Sequence, residues 1–192
     1  MQIMNNIAIF ASGNGTNAEN IIKYFENHPN IHVSLVLSNI SDAFVLERAK
    51  KLKVPVKVFN RQEFYESTKV DKLLEETKIN FIVLAGFLLL IPERLLNIYK
   101  GRIVNIHPAL LPKYGGKGMY GMKVHEAIVS NKETESGISI HYVDSIYDNG
   151  QIIFQKRFSI EEGENAEDIA RKVHKLEYEY YPKVIEKIIM EL

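Results

Sequence analysis

The sequence predicts an α/β fold: a Rossmann-like, doubly wound, mostly parallel sheet with a C-terminal antiparallel strand pair and a long C-terminal helix. Three observations predict it. Short apolar runs alternate with amphipathic stretches at strand and helix spacing through about residue 100. The runs "NIAIF" (Asn6 to Phe10) and "NFIVLAG" (Asn80 to Gly86) are apolar on both faces, as strands covered on both sides must be. A glycine-rich segment, "SGNGTN", stands between the first run and a helical pattern.

The elements follow in order. The first strand, beginning by about Ile3, enters the glycine loop. "NAENIIKYFENH" then places Ile21, Ile22 and Phe25 at helical spacing. "HVSLVLS" (His32 to Ser38) is a second strand, "DAFVLERAKKL" a short helix, and "PVKVF" (Pro55 to Phe59) a third strand. "QEFYESTKVDKLLEET" reads as one helix with Phe64, Val70, Leu73 and Leu74 inward. "IPERLLNIY", with Pro92 at its start, is a helix between the fourth strand and a fifth, "RIVNIH". Beyond it, "VHEAIVSN" is helical. "SGISIHYV" (Ser136 to Val143) and "QIIFQKRFSI" (Gln151 to Ile160) form an antiparallel pair around "DSIYDNG". The final stretch carries Ile169, Val173, Leu176, Tyr180, Val184 and Ile188 along one helical face, with Pro182 expected to kink or break it. No linker or repeat divides the chain. One domain over 1–192 is expected, a Rossmann-like half to about 100 and a second half over 101–192.

Composition excludes several function classes. Lys+Arg and Asp+Glu both number 24, so nothing global favours nucleic acid or an anionic membrane. There is no cysteine, hence no disulfide, thiolate metal site or cysteine nucleophile. The longest apolar run, Phe81 to Ile91, is too short to span a bilayer, and the N-terminus lacks the pattern of a signal peptide. A cytoplasmic protein is expected. His28, His32, His141 and His174 show no metal-ligand spacing, and "HEAIV" lacks the second histidine of a zinc helix. No metal is expected.

Two constellations carry chemistry. In Ser12, Gly13, Asn14, Gly15, Thr16 and Asn17, the glycines let backbone N–H groups approach an anion at a helix start. Gly13, Gly15 and Ala18 fit a dinucleotide fingerprint, but the second strand ends "LSN", without the acid that would hold a ribose hydroxyl. A phosphate monoester is the better match than NAD. Asn105 and His107 alternate onto one face of the fifth strand just before Pro108, at the sheet edge where ligands of open α/β folds sit. An amide donor can hold an oxyanion and an imidazole can move protons, which together suit acyl chemistry. A carboxylate beside the histidine would favour its imidazolium. Asp144 and Asp148 are both candidates, and spacing does not choose between them.

"SGNGTN", "SNISDAFVLERAK", "VLAGF", "NIHPALLPKYGGKG" and "DNGQII" stand in one order over nearly the whole chain. In that order and spacing the sequence resembles the phosphoribosylglycinamide formyltransferases, the glycinamide ribonucleotide transformylases of purine biosynthesis. "NIHPALLP" is shared across 10-formyltetrahydrofolate enzymes; the glycine loop and the short chain point to this branch. The resemblance implies formyl transfer from the cosubstrate 10-formyltetrahydrofolate to the amine of 5′-phosphoribosylglycinamide. It implies that Asn105, His107 and Asp148 are catalytic, and that Ser12 to Asn17 hold the substrate phosphate. It puts Glu177 on the glycinamide and Arg61 near the folate's glutamate tail. Leu88, Leu89, Leu90 and Ile91 would meet the pterin, and Asp144 to Asp148 would close over it. A monomer or homodimer without nucleic-acid or membrane partners is implied. Departures are the apolar "GFLLLIP" in place of a Met-Arg-Ile segment and a longer Lys113 to Lys123 loop lacking a familiar histidine. A deformylase would carry an extra N-terminal domain, and a methionyl-tRNA formyltransferase a C-terminal domain and a basic surface. A non-catalytic nucleotide-binding module would bind without turnover.

Overall fold

The computed structural model describes residues 4–192. Seven strands form a single sheet in the order β3-β2-β1-β4-β5-β6-β7. The strands are β1 (Asn5–Phe10), β2 (Ile31–Ser38), β3 (Val56–Val58), β4 (Phe81–Leu84), β5 (Ile103–His107), β6 (Glu135–Tyr142) and β7 (Ile152–Ser159). Strands β1 to β5 pair in parallel, β6 runs antiparallel to β5, and β7 antiparallel to β6. The doubly wound sheet and the C-terminal antiparallel pair are therefore both present.

Alternation along the strands explains why both faces are covered. Ile7 and Ile9 of β1 enter one apolar cluster, Ala8 and Phe10 the other. The first cluster receives α1 (Thr16–Phe25), α2 (Phe44–Lys51), α6 (Met122–Ser130) and α7 (Ala166–Met190). The second receives α3 (Arg61–Glu66), α4 (Lys69–Glu76) and α5 (Glu93–Ile98), with Phe10 edge-on to Phe87 and near Phe59 and Phe64.

Three expectations are corrected. The helix expected over "QEFYESTKVDKLLEET" is two helices, α3 and α4. Ser67 between them is extended (φ −135°, ψ 167°), and its hydroxyl bonds both the Glu63 carbonyl and the Lys69 N–H, so the side chain replaces helical backbone bonds. The C-terminal helix is not broken at Pro182 but runs through it. The proline leaves the Tyr178 carbonyl without its i+4 donor, and the Asn20 amide of α1 supplies one at 2.9 Å. Finally, the buried line of α7 is Ile169, Val173, Glu177, Tyr181 and Ile185, while Leu176, Tyr180 and Val184 are only partly buried flanks. That line advances by fours and carries an acid into the interior. The start of the first strand near Ile3 lies outside the described residues; its described part begins at Asn5.

Candidate active site

The chain leaves β1 toward β2 on one side and has β4 on the other, so neighbouring connections diverge at the carboxyl ends of β1 and β4. A cavity of about 660 Å³ opens there, within the range of small-molecule sites. Tyr181 braces its floor: its hydroxyl donates to the Leu84 carbonyl at 2.8 Å and reaches that of Val104 at 3.3 Å, tying the ends of β4 and β5.

The glycine loop forms one wall. Gly13 to Asn17 line the cavity, whereas Ser12 stands behind them. The Ser12 hydroxyl donates to Asn39 Oδ1 at 2.6 Å and accepts from the Leu88 N–H at 3.0 Å. Asn39, at the place where a dinucleotide site would want an acid, anchors the loop instead. Gly15 caps α1 in the left-handed region (φ 77°), and a Cβ there would lie 2.3 Å from Val45 Cγ2. No side chain caps α1, so its first N–H groups stay open to a ligand. Arg48 of α2 holds the loop from outside through the Asn14 carbonyl and amide oxygens, and pairs with Glu19. Asn17 donates to Glu177 Oε2 at 2.9 Å, and that oxygen also meets His174 Nδ1 at 2.9 Å. The carboxylate holds the His174 imidazole above its ordinary pKa, against the effect of burial.

Asn105, His107 and Asp148 converge. The carboxylate places Oδ2 3.4 Å from His107 Nδ1 and 2.9 Å from the Gly116 N–H, and Oδ1 3.4 Å from Asn105 Nδ2. Asp148 itself sits in the left-handed region (φ 53°), which aspartate tolerates better than most residues. Asp144 is spent on its own turn, accepting from the Ile146 N–H and the Asn149 amide. The tie between the two aspartates is thus broken by geometry. His107 Nε2 is 2.7 Å from the Tyr114 carbonyl, which only accepts, so that nitrogen carries the hydrogen and Nδ1 is the free base.

The charge state differs from the one expected. Burial lowers the His107 pKa and outweighs the opposing pull of Asp148 and the Tyr114 carbonyl. The net direction is therefore toward the neutral imidazole, although Asp148 by itself favours the imidazolium. Burial works to raise the Asp148 pKa, but His141, His107 and the Gly116 N–H outweigh it and keep the carboxyl below its ordinary value.

The opposite wall is apolar. Leu88, Leu89, Leu90 and Ile91 line the cavity after β4, facing the Val143 to Asp148 turn. Arg61 does not line it. Its guanidinium lies 5.0 Å over the Tyr65 ring, and the Tyr65 hydroxyl donates to the Leu90 carbonyl at 2.9 Å, so Arg61 stands at the outer rim.

Sequence reasoning missed two histidines. His141 lies directly opposite Asn105 in the β5–β6 ladder. Its Nδ1 donates to the Tyr142 carbonyl at 2.8 Å, leaving Nε2 to accept from Asn105 Nδ2 at 3.2 Å. The alternation of "GISIHYV" puts Ser139 and His141 on one face, but only the pairing register brings that face to Asn105. His125 of α6 is buried in the cavity wall, and its Nδ1 meets no partner. Burial pushes its pKa down to about 4 despite the pull of Glu177. Among the described residues no group of three His, Asp or Glu could hold a metal ion, and no helix is long and apolar enough to cross a membrane.

Residues 5–185 match the formyl transferase family. The phosphoribosylglycinamide formyltransferase of Bacillus subtilis is 34% identical over 191 residues, covering 97% of this chain and 95% of the relative. The chloroplastic phosphoribosylglycinamide formyltransferase of Arabidopsis thaliana is 35% identical over 191 residues; 96% of this chain is covered, and it spans 65% of that longer relative. The solved phosphoribosylglycinamide formyltransferase of Bacillus halodurans superposes with a TM-score of 0.85 at 38% identity, covering 96% of this chain and 95% of that one. The Streptococcus pneumoniae structure of the same name gives 0.85 at 37%, covering 97% and 99%. With the sheet order, the cavity and these likenesses together, the chain belongs to the formyl transferase family and, within it, to the phosphoribosylglycinamide formyltransferases.

Proposed function

We infer that this chain, as a single formyltransferase domain, transfers the formyl group of 10-formyltetrahydrofolate to the amine of 5′-phosphoribosylglycinamide. The observation that carries this reading is the Asp148 carboxylate between Asn105 and His107, in a cavity that continues to the uncapped start of α1. The phosphate sits on the Gly13 to Asn17 backbone, Glu177 meets the glycinamide, and the pterin enters the apolar wall of Leu88 to Ile91. The folate tail runs out past Arg61, and the Asp144 to Asp148 turn closes over the pterin.

The amine attacks the formyl carbon and the carbonyl π electrons move to oxygen. Asn105 Nδ2 keeps one hydrogen on the acceptor Nε2 of His141 and turns the other, which makes only a long 3.4 Å contact to Asp148 Oδ1, onto that oxyanion. The proton released by the amine goes to His107 Nδ1, the free nitrogen of a neutral ring. Asp148 then faces an imidazolium, and the charge pair is worth more in this buried setting than in water. Collapse of the intermediate returns the electrons to the carbonyl, breaks the bond to the folate N10, and passes the proton from His107 to that nitrogen. The oxyanion donor and the proton carrier thus share one carboxylate.

The test is loss of formyl groups from 10-formyltetrahydrofolate with and without the ribonucleotide amine. Turnover that requires the amine supports transfer. Turnover without it is hydrolysis and overturns the reading, as does binding of both substrates with no turnover.

A further inference from the structure

The cavity is poor in positive charge for a site that takes a phosphate. Three acids line it, Asp144, Asp148 and Glu177, but only one lysine or arginine, Lys117; the His174 imidazole, whose pKa Glu177 raises, is already paired with that acid. Arg48 adjoins the glycine loop from outside and is already paired with Glu19. The open start of α1 offers N–H groups and about half a positive charge, less than a phosphate dianion carries.

Lys117 is exposed and forms no ion pair or hydrogen bond among the described residues. It follows Gly116, whose N–H is fixed to Asp148, and precedes α6, whose first residue is Met122. Between these anchors Gly116, Gly118 and Gly121 all have positive φ (96°, 90° and 55°), and a Cβ on any of them would meet nothing within 4 Å. The segment is held at both ends and by Met119, which packs on the core and donates its N–H to the Gly116 carbonyl at 3.1 Å, while the space beside its glycines is open. Its far end belongs to the nucleotide side: α6 packs on α7, which carries Glu177, and α7 packs on α1.

We propose that Lys117 determines specificity for the phosphate, closing from the 116–121 segment onto the anion held by the glycine loop. This rests on the reading that the substrate is a phosphorylated ribosylamine. The lysine adds a positive charge to a lining that otherwise offers the anion only backbone N–H groups and an imidazole already paired with an acid. A compact ammonium on a flexible stem suits an anion that arrives and leaves with each turnover.

The experiment compares binding of 5′-phosphoribosylglycinamide and its dephosphorylated nucleoside by calorimetry, to wild type, Lys117→Met and Lys117→Arg. Folate KM is measured alongside, and thermal melts check folding of the exposed-site variants. Lys117→Met is expected to raise the nucleotide Kd about tenfold or more while leaving the nucleoside Kd and the folate KM unchanged. Lys117→Arg is expected to retain most of the nucleotide affinity. If wild type discriminates the two ligands and Lys117→Met discriminates equally well, the assignment of Lys117 is overturned and the phosphate site stands. A rise in the folate KM alone gives the lysine to a folate carboxylate and also overturns it. If wild type binds nucleotide and nucleoside equally, the phosphate-site reading falls and Lys117 falls with it.

Discussion

The Asp148 carboxylate divides its two oxygens between His107 and Asn105, with Oδ2 3.4 Å from His107 Nδ1 and Oδ1 3.4 Å from Asn105 Nδ2. One group therefore orients the proton carrier and the oxyanion donor together. Asp144, four residues earlier, touches neither and closes its own turn.

Asp148→Asn is expected to cripple turnover, and Asp144→Asn to be milder. Asparagine keeps the shape of Asp148 but removes the charge that opposes burial at His107. The His107 pKa, already below its ordinary value, should fall further in Asp148→Asn and stay in place in Asp144→Asn. NMR titration of the imidazole reads both. A fall in Asp144→Asn with none in Asp148→Asn would put the coupling on the wrong carboxylate.

Asn105→Ala should lower kcat on the order of 10²-fold or more with small changes in either substrate's affinity, since the oxyanion donor acts mainly in the transition state. Steady-state kinetics check this. Wild-type kcat with a raised KM would make Asn105 a substrate-binding residue only.

The two loop glycines should fail differently. A Cβ on Gly13 meets nothing in the protein, so Gly13→Val should fold and obstruct the phosphate's approach to the loop. Nucleotide affinity should drop while folate affinity holds. A Cβ on Gly15 would collide with Val45 at a positive φ, so Gly15→Ala should lower thermal stability as well. Calorimetry and melting curves separate the two, and a Gly13→Val variant that loses folate rather than nucleotide would refute the loop's assignment.

Stability should fall with acid through the titration of His125. The unfolded imidazole takes its proton near 6.5, the folded one only near about 4. Between those values the unfolded chain holds more protons, so folding is disfavoured as pH drops through that window. The contribution is on the order of 3 kcal/mol for a shift of this size. His107 adds in the same direction, while Asp148, its carboxyl held below the ordinary range, matters only at lower pH. Denaturant melts from pH 7 to 4 should show a shallower loss in His125→Gln than in wild type. Equal slopes would mean that His125 is protonated in the folded protein well above pH 4.

The sequence alone determined the layers of the sheet, the glycine loop and the Asn105–His107 pair, because all three rest on local periodicity. Apolar residues at strand and helix spacing report burial, and side chains two apart on a strand share a face whatever lies around them. The helix break at Ser67 was not legible, since a serine hydroxyl that bonds its own backbone leaves the helical pattern of apolar residues intact. Nor was the unbroken helix at Pro182, which depends on a donor from Asn20, distant in sequence. Tertiary structure alone decided the rest of the site. Antiparallel register set His141 opposite Asn105, and the packing of α6 and α7 brought His125 into one wall with Glu177; the turn after β6 put Asp148 rather than Asp144 beside His107, a choice that the family resemblance implied but spacing did not. It also set the charge of His107: a nearby carboxylate is readable as a pattern, but the cost of desolvation depends on everything that surrounds the ring, and here that cost prevails.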